Sequence, residues 1–471
     1  MNKLLGLAGS LVSISMVLTA TAGARIAPSA VLAAHQEPRG IGQLVVPGDR
    51  VEITYTVDTK GVQAPTGALY VRSDADRRFE SVVLKPSGRA ALSAVVPARL
   101  IRGHRLLYYA VLRDPKTGCS VRVPAGGAAR PQSAWVLERS VTVKLGAHRF
   151  GHTPAPEAVV ARAAPADVGW QLGGDPFGPQ TFLVGRDGSI WLDDGLQQRM
   201  LVWRAGHPDA VDRTLPLPFF AADNDVALAR DGTLYVTGGE GTGLDFQPLL
   251  FHLGAGGQVL WQTRLAADIR DTGAFLVGTN SLLRFGPDGT LNLLVGMPGR
   301  PGGERGWMPV ATPSGQPVPV ARQRLRTVWP GQPVAGNLRL VSEIYVPPGV
   351  DRAPRQARFA LIGRRGAVVR AWQVTSRTDI NFNYATPELV GGDPVVVFDV
   401  TAGRQPNFRW EYLVVRLGRR GARSTVSLRR AVFGDNLLAD VRVGPDGKLY
   451  QLSSSPTTGV VVDRYSLGTA R

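Results

Sequence analysis

Carboxylates stand at the start of several strand-like runs, and they are the residues best suited to chemistry in this chain. Asp225 precedes Val226-Ala227-Leu228, Asp440 precedes Val441-Arg442-Val443, and Asp271 and Asp393 head further apolar runs, with Asn224 and Asn436 close by. Oxygen donors of this kind suit a hard cation, since Ca²⁺ takes about six to eight oxygen ligands. If the runs converge on one axis, Asn224, Asp225, Asp271 and Asp440 form a candidate site for Ca²⁺ or another divalent metal. A cation held there would polarise a lactone or ester carbonyl and activate water. The same residues also fit a structural role, in which they cap strand starts and pair with arginine.

Other reactive constellations are missing from the sequence. There is no His-Glu-x-x-His, no Gly-x-Ser-x-Gly elbow and no pair of cysteines for zinc. Asp223-Asn224-Asp225 matches the start of a calcium loop, but Leu228 takes the place of its glycine and no Glu follows at the loop's end. The six histidines do not cluster, and His148 and His152 lie in a Pro-rich stretch. Cys119, the sole cysteine, sits in the turn-like Lys116-Thr117-Gly118-Cys119, so packing rather than an intramolecular disulfide must hold the fold. No organic cofactor is expected.

The elements that would position the carboxylates are hairpins. Gln180 to Leu192, Asp225 to Val236 and Asp440 to Leu452 each read as strand, Asp-Gly turn, strand, with Asp-Gly expected to supply the positive φ angles of a two-residue turn. A second element, an apolar strand with a basic or His residue before a Gly-rich turn, recurs at Leu201–Gly206, Leu250–Gly257, Leu282–Gly289, Phe359–Gly366, Leu413–Gly421 and Val462–Gly468. Such repetition predicts a β-propeller over 168–471 with six blades. The long interval from Gly289 to Gly366 leaves seven open. Within it, Met297 to Pro319 shows no strand pattern and reads as a Gly/Pro-rich loop. Trp191, Tyr235 and Tyr450 fall at the same place in three hairpins, where blade-to-blade packing is the simpler reading and a glycan-binding platform the alternative.

Phe182 to Trp203 resembles an NHL repeat, and Asn224 to Val236 is similar to a phrase of the SMP-30/gluconolactonase-like propellers. The resemblance implies the propeller fold and, for the lactonase relatives, a divalent metal on a Glu/Asn/Asp set. The first blade here offers Gln171 or Gln180 where those relatives have Glu, and Asp225 stands where they usually have Gly.

Upstream, Lys3, the apolar run Leu4 to Thr19 and Ala22-Gly23-Ala24 read as a signal peptide over 1–24, with a second cleavage point near Ala33-Ala34. Export to the extracellular space or cell envelope is therefore expected, with no membrane-spanning helix. Residues 25–47 read as a flexible lead-in. Runs at Arg50 to Val57, Thr66 to Arg72, Glu80 to Leu84, Ala90 to Val96, Arg105 to Leu112 and Trp135 to Leu145 predict a β-sandwich over 48–146. Its Val96 to Val111 stretch is similar to a corner of fibronectin type III or immunoglobulin-like domains. Residues 147–167, with Pro154, Pro156 and Pro165, read as a linker open to proteases.

The chain is therefore expected to be all-β, a sandwich followed by a propeller. The net charge of +17 comes from six lysines and 48 arginines against 37 acids. The arginines are scattered or alternate with apolar strand residues, as on a solvated strand face, and no nucleic-acid motif accompanies them. These features favour a secreted, non-catalytic binding or scaffold protein whose ligand is a protein, a glycan or an acidic polymer. A lactonase-like metal hydrolase using the channel carboxylates is the alternative.

Overall fold

Short apolar runs bounded by Gly and Asp form antiparallel strands throughout the computed structural model, which describes residues 33–36, 44–58, 65–87, 91–115, 118–173, 176–179, 181–218, 225–240, 247–265, 283–286, 288–295, 306–323, 332–334, 338–345, 355–382, 388–404, 407–434 and 440–468. Six sheets make the blades of a propeller. From the axis outward, blade 1 is Phe182–Val184, Ile190–Asp194, Arg199–Trp203 and Val211–Pro216. Blade 2 is Val226–Leu228, Leu234–Glu240, Gln247–Leu253 and Val259–Arg264. Blade 3 is Leu283–Phe285, Leu291–Val295 and Gly306–Ala311. Blade 4 is Gln332–Pro333, Arg339–Tyr345, Gln356–Ile362 and Val368–Thr375. Blade 5 is Glu388–Val390, Asp393–Ala402, Arg409–Gly418 and Gly421–Arg429, with Asp379–Phe382 on the far half of its second strand. Blade 6 is Val441–Val443, Leu449–Ser455 and Gly459–Tyr465.

Apolar side chains from neighbouring blades meet in shared cores. Trp191 is buried with residues of blades 1 and 2, Tyr235 with blades 2 and 3, and Tyr450 with blades 6 and 1. The three equivalent aromatics are thus packing residues.

Two sequence readings change here. The hairpins at Asp187-Gly188, Asp231-Gly232, Asp288-Gly289 and Asp446-Gly447 place only the glycine at positive φ. In blade 1 the Gly188 N–H donates to Gly185 O and the Gly185 N–H to Ser189 O, a type I turn closed by a glycine bulge. Asp187 acts through its carboxylate instead, which accepts from the Ser189 N–H and hydroxyl at 3.1 and 2.6 Å. Leu282–Gly289, grouped by sequence with the third strands of the other blades, holds the innermost strand of blade 3. The third strand of that blade, Gly306–Ala311, lies inside the stretch expected to be a loop. Pro309 and the glycines around it masked its pattern.

The region 147–167, expected as a linker, is built into the propeller. Ala158–Ala163 pairs antiparallel with Gly459–Tyr465 as the outermost strand of blade 6, so an N-terminal strand and three C-terminal ones close the ring. Before it, the His148 ring lies 2.7 Å from Glu411, the Gly151 N–H donates to the same carboxylate, and Arg409 stacks over Phe150. Val141–Lys144, expected in the first domain, runs parallel to Val368–Thr375 on the outer edge of blade 4. The prolines that suggested a linker flank these strands rather than interrupt them.

Closure brings backbone against backbone at one glycine. Gly459 has φ +83°, and a Cβ there would fall 2.1 Å from Ala163 O. Gly459→Ala is expected to cost about 1–3 kcal/mol, through both the left-handed backbone and the forced separation of the closing strand. Urea unfolding would register this as a lower midpoint at unchanged slope, and an unshifted midpoint would mean that the closing contact is looser than described.

Among the described residues, the N-terminal unit is one nine-stranded sheet. Glu80–Pro86 pairs with Thr66–Ser73 along most of its length and with Ala91–Val95 through Lys85 and Pro86, so hydrogen bonding runs on where two separate sheets were expected. The sheet curls around a core that includes Ile53, Tyr55, Leu69, Leu106 and Ala110. Ala33–Gln36, within the expected lead-in, pairs with Glu52–Asp58. The unit docks on blade 4. Leu44, Trp135 and Leu137 pack against Val341, Ala360 and Ile362, and the Trp135 indole donates to Gly366 O at 3.0 Å. The Leu44 N–H donates to Glu343, while Arg358 bonds Leu44 O and Asp49. Burial pushes the Glu343 carboxyl up to about 7 against these favourable partners. The expected signal peptide, Asn224, Asp271 and Asn436 lie outside the described residues.

Candidate functional site

Hairpin geometry puts one position of each blade just ahead of its innermost strand. Thr181, Asp225 and Asp440 hold this position in blades 1, 2 and 6. Each carbonyl accepts from the second strand: Asp193 N–H to Thr181 O, Thr237 N–H to Asp225 O, and Leu452 N–H to Asp440 O, at 3.1, 3.3 and 2.8 Å. The backbones are equivalent, and the side chains decide what the channel can do.

Asp225 is 1% exposed. One carboxylate oxygen accepts the Leu283 N–H of blade 3 at 2.8 Å. The other accepts from Arg442, which reaches across from the innermost strand of blade 6 and donates from the same nitrogen to Thr181 Oγ1, at 3.0 and 2.9 Å. Burial pushes the Asp225 carboxyl up, and Arg442 and the Leu283 N–H draw it back. A second pair, Arg284 of blade 3 with Glu388 of blade 5, lies at 2.8 Å. Each pair spans one intervening blade, blade 1 for Asp225 with Arg442 and blade 4 for Arg284 with Glu388. Unpaired charge at the depth of Asp225 is costly, which accounts for its match to a guanidinium.

Asp193 and Asp440 differ from Asp225. Asp193 is buried in the second strand of blade 1, and its Oδ1 has no hydrogen-bond partner. Burial, then the charges of Asp194 and Asp225, hold its carboxyl well above the usual carboxylate range. Asp440 faces the Tyr412 hydroxyl of blade 5, with Asp399 and Arg430 nearby, and neither of its oxygens makes a hydrogen bond of ordinary geometry. Burial pushes it up to about 7.

The structure therefore places Asp225 and Asp440 in separate environments whose side-chain partners share no residue. Among the described residues, no group of three or more His, Cys, Asp or Glu is arranged to hold a metal ion. Arg442, Arg284, Glu388 and Asp193 were not singled out from sequence. The signal for Arg442 was an arginine between two valines in the strand of an Asp-Gly hairpin, a position that points at the axis.

No protein-family model matches this chain, and no curated protein matches its sequence. Among solved structures it is similar to one described as "Crystal structure of tetra-tandem repeat in extending region of large adhesion protein", at 10% identity over 92% of this chain and 98% of that one. The TM-score is 0.18, too low to carry any inference about fold or function.

Two clefts of about 520 Å³ each open beside blade 5. One, at the channel mouth, is lined by Leu183, Glu388 and Arg442 together with the Val443–Gly447 turn. The other, toward the rim, lies between the Gly391-Gly392 and Gly418–Gly421 turns and is lined by Arg370, Arg419, Arg420, Arg423 and Asp393. Gly391 borders both. No described helix is long and apolar enough to cross a membrane.

Proposed function

We propose that the chain is a non-catalytic binding scaffold, exported to the cell envelope or beyond, whose propeller is a rigid platform. The observation that carries this reading is the engagement of Asp225: both oxygens are taken, one by Arg442 and one by the Leu283 N–H. Arg284 also pairs with Glu388, through one carboxylate oxygen. A divalent cation at Asp225 would have to displace a buried guanidinium, and its carboxylate would lose a backbone donor. The Asp-Gly hairpins in blades 1, 2, 3 and 6 support reading the blades as NHL-like. Export rests on the sequence of residues 1–24.

Calorimetry with Ca²⁺, together with a panel of lactones and esters, tests the reading on the full chain. The expected result is no saturable metal binding that depends on Asp225 and no turnover. The lactonase-like alternative requires metal binding and hydrolysis that both disappear in Asp225→Ala and in Asp440→Ala, and that result would reverse the assignment.

A further inference from the structure

The rim cleft of blade 5 concentrates charge of one sign. Arg370, Arg416 and Arg423 all reach the Asp393 carboxylate, at 3.2, 3.4 and 3.0 Å. Asp393 is only 4% exposed, so a single buried carboxylate anchors three guanidiniums and leaves two positive charges uncompensated. Arg423 keeps 56% of its side-chain surface exposed. Arg416 is fixed a second time by its bond to Val390 O at 2.9 Å, and Arg370 by stacking over Trp372. At the hairpin tip the exposed Arg419 and Arg420 add two more charges. The equivalent tip of blade 4, Gly363-Arg364-Arg365-Gly366, repeats the Gly-Arg-Arg-Gly sequence, again with both arginines exposed.

Resting on the binding-scaffold reading, we infer that this cleft is the ligand site and that it takes a linear polyanion carrying phosphate groups. Guanidinium forks held from behind by a buried carboxylate present their remaining N–H groups in fixed directions, which suits tetrahedral oxyanions. The glycines at Gly391, Gly392, Gly418 and Gly421 leave room for a chain to lie against backbone. Among the described residues no aromatic lines the cleft, so these offer no platform for bases to stack on, and a nucleic acid gains only its phosphate contacts from them. The sequence reading of these arginines as a solvated strand face missed that blade adjacency gathers two separate runs at one rim.

Tripolyphosphate is the probe, titrated calorimetrically into the full chain beside orthophosphate and an oligothymidylate. Saturable binding of tripolyphosphate is expected, tighter than that of orthophosphate. It should weaken about tenfold or more in Arg419→Ala/Arg420→Ala, the loss of at least one charge-assisted contact. Arg77→Ala/Arg78→Ala removes the same charge from an exposed site on the N-terminal sheet and should leave affinity unchanged. Absence of saturable binding overturns the inference, as does equal weakening in both double variants, which would mean net charge alone is sensed. Tighter binding of the oligothymidylate per phosphate would assign the cleft to nucleic acid instead. None of these variants touches the channel, so metal-dependent hydrolysis would overturn the scaffold reading without affecting this result.

Discussion

Asp440→Asn is expected to stabilise the protein above about pH 7 and to change it little below about pH 4. In the fold the Asp440 carboxyl titrates at about 7, raised from 3.8 by burial. Between those values the folded chain holds a proton that the unfolded chain has released, so stability falls as pH rises through the window. A shift of that size corresponds to about 4 kcal/mol once the group is ionised. Asparagine carries no charge at any pH and keeps an acceptor for the Tyr412 hydroxyl. Urea unfolding at pH 4, 6 and 8 should show the variant gaining about 3 kcal/mol on the parent at the highest pH. Glu343, also raised to about 7, acts in the same direction at the docking face. Asp187 and Asp231 act oppositely, because hydrogen bonds from Ser189 and Thr233 hold their carboxyls low. Their contribution is lost as pH falls, so the optimum should lie on the mildly acidic side of neutral. Identical pH profiles for Asp440→Asn and parent would mean that Asp440 is solvated.

Asp225→Ala is expected to cost about 3–5 kcal/mol, since it strands the Arg442 guanidinium and the Leu283 N–H in a buried channel. Arg442→Leu should cost a similar amount by leaving Asp225 charged without its partner. Thr181→Val, which removes only a neutral acceptor for Arg442, should cost about 1 kcal/mol. Denaturant midpoints should place Asp225→Ala and Arg442→Leu together, well below Thr181→Val. A neutral Asp225→Ala would show that the channel admits enough water to solvate the arginine.

The repeated Asp-Gly hairpins made the propeller legible, because turn chemistry and strand alternation are local properties that need no knowledge of neighbours. The six-blade count was readable for the same reason, although it rested partly on Leu282–Gly289, whose third-strand look is that of an innermost strand. Gly306–Ala311 was not readable because Pro309 and its glycines break the pattern that marks a strand. Closure was hidden as well. Ala158–Ala163 has no hairpin partner within reach, and its pairing with Gly459–Tyr465 depends on the ring coming round on itself. At the channel, the position of Asp225 could be read from its hairpin, but its partner could not. Arg442 lies 217 residues away, and only the arrangement of blades sets the two 3.0 Å apart. Asp440 holds the same backbone position in blade 6 and faces Tyr412 instead, a neighbour that the sequence around it could not name.

The Asp225 carboxylate is engaged by Arg442, and a double-mutant cycle on Asp225→Leu and Arg442→Leu measures that engagement. Denaturant unfolding of the parent, both single variants and the double variant, in metal-free buffer at pH 7.5, gives the coupling energy. A coupling of about 2 kcal/mol or more is predicted, with the double variant more stable than either single one because it leaves no buried charge without a partner. Additive losses, with coupling below about 0.5 kcal/mol, would contradict a paired channel and return Asp225 to the candidates for a metal ligand.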